Sequence, residues 1–82
     1  MNDNLDYDLA AELYAAPATY RPKAPRYMRF PSAAEAIRYA IEILPRAQLR
    51  HTSVEVGEQR FEGDAILQLY LAPAYPLDRA ST

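Results

Sequence analysis

Leu5, Leu9 and Leu13 recur every four residues near the start of the chain, a spacing that lines one face of a helix. Asp3 or Asn4 can cap such a helix, because a short polar side chain accepts from the free N–H groups of a first turn. Asp6 and Asp8 would then stand near the positive end of the helix dipole, where carboxylates are stabilised. The pattern predicts a helix over residues 4–15. Three turns alone are marginal in water, so its leucine stripe must dock on this domain or on another chain. Pro17, Pro22 and Pro25 break the pattern, since each locks φ and biases the residue before it toward extended geometry. Residues 16–25 therefore read as an extended linker.

The next segment, Arg26 to Phe30, alternates as a strand does, with Met28 and Phe30 as the inward pair and Tyr27 and Arg29 on the other face. Ser32-Ala33-Ala34-Glu35 then matches a capping box, in which the serine oxygen and the glutamate carboxylate each satisfy an orphan N–H. Ala36, Ile37, Ala40, Ile41 and Leu44 share one face of the helix that follows, and Pro45 stops it, which predicts a helix over 32–44. Glu35, Arg38 and Glu42 stand at i,i+3 and i,i+4 spacing on its polar face. Thr52, Val54 and Val56 alternate with Ser53 and Glu55, and Gly57-Glu58 can turn that strand into Gln59–Phe61 as a hairpin.

The segment 64–72 supports two readings. Leu67, Leu69 and Leu71 alternate as in a strand, whereas Ile66, Leu69 and Tyr70 share a helical face. Gly63-Asp64 as a start, with Asp64 as a cap, and Pro73 as a stop favour the helix. The tail from Ala74 is irregular, with Tyr75 and Leu77 available to pack back. The expected architecture is α+β: a small sheet of about three strands packed on the capped amphipathic helix 32–44, plus the helices 4–15 and 64–72. Residues 1–25 form an acidic helix and proline-rich linker, and residues 26–82 a compact domain.

Between Arg26 and Arg79 the chain resembles small uncharacterised proteins common in alphaproteobacteria. The resemblance rests on Arg29-Phe30, the run from Ala33 to Glu42, Arg60-Phe61-Glu62-Gly63, Leu69-Tyr70 and Tyr75-Pro76-Leu77. It covers about two thirds of the 82 residues and implies a helix over 64–72. These motifs are structural, and they imply no activity, cofactor or substrate.

Composition narrows the function classes. Half of the residues are apolar and about a quarter charged, which is globular composition. There is no cysteine, which removes disulfide scaffolds and thiolate chemistry and favours a cytoplasmic setting. Asp3, Asp6 and Asp8 stand where a secretory signal would carry lysine or arginine, and no apolar stretch approaches a membrane span. The net charge of −2 conceals a basic middle, where Arg21, Lys23, Arg26, Arg29, Arg38, Arg46 and Arg50 meet only Glu35 and Glu42, between two acidic ends. Acidic ends folding back over that middle account for it more simply than a basic face offered to a partner.

Candidate chemistry is sparse. One histidine and no cysteine make a zinc site improbable on ligand count alone. Glu55, Glu58, Glu62 and Asp64 could face a hard cation, but no EF-hand spacing is present and such runs are usually solvated. His51 and Ser53 would point the same way on a strand, yet no third group orients them. Glu62 and Asp64 mark a helix start better than an acid–base pair. Gly57 and Gly63 lack the lysine and serine of a phosphate loop. We therefore expect no catalytic residue, no metal, no cofactor and no enzymatic activity.

The expected function is a protein-interaction or regulatory module, binding a protein partner or a second copy through Leu5, Leu9 and Leu13. The alternative is a nucleic-acid binder using residues 20–30. There, Arg21, Lys23, Arg26 and Arg29 would contact phosphates, and Tyr20 and Tyr27 would stack on bases. A net acidic chain without a known nucleic-acid-binding signature makes that the weaker choice. The seven tyrosines serve core margins or interfaces equally well.

Overall fold

A computed structural model describes residues 5–15 and 26–78. The fold is α+β: a four-stranded antiparallel sheet with helices on one face. The strands are β1 (Ala11–Ala15), β2 (Arg26–Phe30), β3 (Thr52–Val56) and β4 (Gln59–Glu62), in spatial order β2-β1-β3-β4. Helix α1 (Ala33–Arg38) continues into a π-helical segment, Tyr39–Ile43, and a 3-10 helix, Arg46–His51, leads into β3. Helix α2 (Asp64–Leu71) follows β4.

The first segment departs from the helix expected over 4–15. Asp6 to Leu9 is a tight turn: the Leu9 N–H donates to the Asp6 carbonyl at 3.2 Å, and the Asp6 carboxylate accepts from the Asp8 N–H at 3.0 Å. An aspartate side chain bonding to the backbone two residues on is the alternative to a helix that this residue type offers. Beyond the turn, Ala11, Leu13 and Ala15 are buried while Glu12 and Tyr14 are half-buried on the other face, a period of two. The four-residue recurrence of leucine is therefore incidental, and the alternating alanines carry the structural signal. β1 pairs with β2 on one side and β3 on the other, which brings the sheet of about three strands to four. Residues 11–15 lie at the middle of the body that the sequence suggested began at 26. The expected linker, 16–25, lies outside the described residues.

The other elements follow their sequence signals. Ser32 caps α1, its hydroxyl accepting from the Glu35 N–H at 3.2 Å. Two further N–H groups of the first turn, on Ala33 and Ala34, donate to the carbonyls of Leu9 and Tyr7 at 2.6 and 3.0 Å. The chain before β1 thus completes the cap and satisfies donors that a helix start leaves orphaned. Ala33, Ala34, Ala36, Ile37 and Ala40 form the buried face, and the four alanines among them suit close packing on the alanine-bearing strand β1. Leu44, before Pro45, is extended at φ −71°, ψ 146°, as a residue preceding proline prefers.

The β3–β4 hairpin turns on Gly57 at φ +61°, the first loop position, where a type II′ turn requires glycine. Gly63, at φ +52° and ψ −119°, starts α2 in place of the aspartate cap expected at position 64. Asp64 is instead in the first helical turn, still favourably placed for a carboxylate. The helical reading of 64–72 holds, with Ile66 and Tyr70 buried.

Three tyrosines fasten the ends of the domain to its helices. Tyr75 is 6% exposed and sits edge-on to Tyr7, with ring centroids 5.7 Å apart, and 5.2 Å from Tyr70. Its hydroxyl donates to the Ala34 carbonyl at 2.8 Å, and the Tyr7 hydroxyl donates to the Leu69 carbonyl at 3.1 Å. The Tyr70 hydroxyl donates to the Glu42 carboxylate. Each ring is packed and each hydroxyl has found an acceptor, the condition under which tyrosine is stable at a core margin.

Candidate interaction surface

Helices cover the face of the sheet that carries Leu13, Val54 and Val56, so the opposite face and the two outer strands define what the described residues present. Strand register sets the order of side chains on that opposite face. Arg29 on β2 lies opposite Glu12 on β1, Glu12 opposite Glu55 on β3, and Glu55 opposite Arg60 on β4. A second row runs Tyr27, Tyr14, Ser53, Glu62. Glu12 and Glu55 are like charges on adjacent strands, an arrangement that costs stability unless it is offset. Arg60 offsets one side, its guanidinium 3.4 Å from Glu55 and 2.8 Å from Glu62. On the other side the Glu12 carboxylate accepts from Tyr27 at 3.1 Å and, at 3.4 Å, from Tyr14.

The two tyrosine rings stack at a tilt, 5.2 Å between centroids. Both phenols are held above the usual tyrosine value of 10. For Tyr14 the causes are loss of hydration, then the negative charges of Glu12 and Glu55. For Tyr27 they are loss of hydration and the hydrogen bond to Glu12. A raised folded-state value means the folded chain keeps protons that the unfolded chain releases. The associated stability is complete below pH 10 and is lost as pH rises through the raised values. Glu12→Gln is expected to bring tyrosinate formation to lower pH in an ultraviolet titration and to soften alkaline unfolding. Desolvation remains in that variant, so the shift shrinks without vanishing. Superimposable titration curves for the two proteins would disprove the assigned role of Glu12.

β2 is the strand at one margin of the sheet, and among the described residues no strand pairs with its outer side. Arg26, Tyr27 and Arg29 are exposed on it, while Met28 and Phe30 are half-buried, as the alternation predicts. Beside Phe30 opens a shallow hollow shared with α1 and the π-helical segment, lined by Glu35, Arg38, Tyr39, Glu42 and Ile43. Phe30 and Tyr39 stack there at 5.5 Å, and Ile43 is 63% exposed. The π-helical segment carries both Tyr39 and Ile43 to this hollow; wide turns of this kind recur at functional sites.

The candidate residues read from sequence fare unequally. Leu13 is fully buried in the core, Leu5 packs partly against it and Leu9 is 49% exposed in the turn, so they form no common stripe. Tyr20, Arg21 and Lys23 lie outside the described residues. Arg26, Tyr27 and Arg29 are together on β2, although Arg26 points to the helix side and the other two to the open face. His51 ends the 3-10 helix exposed, whereas Ser53 is buried beside Tyr14 and Glu62, so the two do not share an environment. Sequence reasoning missed the partnership of Glu12 with both tyrosines, which depends on β1 being a strand.

Among the described residues no three His, Cys, Asp or Glu side chains are grouped to hold a metal ion, and no helix is long and apolar enough to cross a membrane. The fold and surface thus define a small α+β domain with an aromatic and basic outer strand. No protein-family model, curated protein or solved structure matches the chain.

Proposed function

We propose that this chain is a non-enzymatic protein-interaction module whose contact surface is the β2 margin. The observation that carries this reading is the chemistry of that margin. A strand that no other strand flanks on its outer side among the described residues presents Arg26, Tyr27 and Arg29, and the aromatic hollow of Phe30 and Tyr39 adjoins it. Tyrosine, phenylalanine and arginine are enriched at protein contacts because each combines large area with a directional polar or π interaction. An outer strand is also a ready template for adding another extended chain. The resemblance over Arg26–Arg79 spans the whole of this margin and carries no activity with it. A chain without cysteine suits the cytoplasm, the compartment this reading assigns.

Nucleic-acid binding has less support. Glu12, Glu55 and Glu62 line the open face that also carries Tyr27 and Arg29, where they would repel phosphates. Co-expression of the full chain under two different tags, followed by capture through one of them with and without nuclease, tests the choice. We expect capture of a protein, either the second-tagged copy or another chain, that survives nuclease and is lost with Arg26→Ala/Arg29→Ala. Capture that disappears with nuclease would transfer the β2 arginines to a nucleic-acid role.

A further inference from the structure

Resting on the interaction reading, we infer that the partner of β2 is β2 of a second copy, paired antiparallel about Met28 to give one continuous eight-stranded sheet. The strand Arg-Tyr-Met-Arg-Phe is complementary to itself in that register. Met28 faces Met28 on the two-fold axis. On the open face each Tyr27 stands opposite the partner copy's Arg29, and on the helix side each Arg26 stands opposite the partner copy's Phe30. Four cation–π pairs form and no arginine meets another.

Other registers lose this match. A shift of two residues in either direction leaves only three residues of each strand paired, and one of the two also sets Arg29 against Arg29. A parallel in-register arrangement sets both arginines against their own copies, which is repulsive. Pro25 and Pro31 bound the strand on either side and cannot donate to a ladder, so the pairing segment is limited to these five residues and its centre is Met28. Charged residues on a margin strand usually discourage pairing. Here the same charges oppose the parallel arrangement and the shift that sets Arg29 against Arg29, and they find matching rings in the register about Met28.

The hollow beside Phe30 shares that β2 residue with Glu35, Arg38 and Glu42 of the helix layer.

The full chain lacks cysteine, which makes the register directly testable. Met28→Cys introduces a single thiol on the two-fold axis, and directly opposed residues have Cβ atoms about 4.5–5.5 Å apart, near disulfide range. Gln59→Cys places the thiol on β4 at the far margin as a control. We expect sedimentation of the wild type to show a monomer–dimer equilibrium, Met28→Cys to oxidise to a covalent dimer, and Gln59→Cys to remain uncoupled. Arg26→Ala/Arg29→Ala, on exposed side chains, should weaken the dimer by at least about tenfold while circular dichroism stays unchanged. A wild type that stays monomeric at every concentration overturns the inference, as does a dimer cross-linked equally through position 59 or indifferent to the arginine substitutions. Should the chain be monomeric yet capture a different, nuclease-resistant protein through β2, the interaction reading stands and only the two-fold pairing fails. Absence of both would end the two together.

Discussion

Leu13→Ala is expected to lower the unfolding free energy by about 2–5 kcal/mol, the range for truncating a fully buried leucine. A domain of this size holds only about 4–12 kcal/mol at the usual stability per residue, so the upper end of that loss leaves little folded protein. The side chain lies at the middle of β1, itself flanked on both sides, and points into the layer where α1 packs. Ala33, Ala36 and Ala40 belong to the same buried cluster and are too short to fill a space left within it, so the resulting cavity adds to the lost transfer energy. Leu9→Ala, at a residue half exposed in the turn, should stay within about 0.5 kcal/mol. Urea unfolding followed by circular dichroism separates the two. Equal and small effects would restore the leucine stripe of a docking helix, where all three positions serve a partner.

The same residue shows how far the sequence carried. Where a helix or strand announces itself by caps and stops, as with Ser32 and Pro45 around the first helix or Gly57 in the hairpin, local chemistry decided the structure and could be read directly. Residues 5–15 hold two periodicities at once. Leucines every four residues suggested a helix, while Ala11, Leu13 and Ala15 alternate through a strand whose inward positions are mostly alanine. Alanine is a weak β-former and the best helix former, so propensity favoured the wrong answer. The decision belongs to long-range pairing with β2 and β3, which no local window contains. The candidate surface depends on the same long-range pairing. Arg26, Tyr27 and Arg29 were visible as a basic-aromatic cluster, but Glu12 beneath Tyr27 was not, and its carboxylate is what argues against phosphate as the ligand.

Tyr75→Ala is expected to cost about 3–5 kcal/mol, as removal of a large buried ring does. It lies beyond the last helix, in a segment that reads as an irregular tail, yet its ring fills the space between Tyr7 and Tyr70. Tyr7 belongs to the chain that completes the cap of α1, and Tyr70 to α2, which it ties to Glu42 on the π-helical segment. Loss of the ring should therefore loosen three segments together and unfold the domain cooperatively. Tyr75→Phe separates packing from hydrogen bonding. It keeps the ring and removes only the donor to the Ala34 carbonyl, at a cost of about 0.5–1.5 kcal/mol. The difference between the two variants measures the ring alone. If alanine and phenylalanine cost the same, the hydroxyl bond carries the contact and the tyrosine stack contributes nothing. If the alanine variant costs less than about 1 kcal/mol, the tail is no part of the core. A large gap makes Tyr75 the keystone of the helix layer: without it, the helix face that borders the β2 margin has no fixed position from which to present Tyr39 and Ile43.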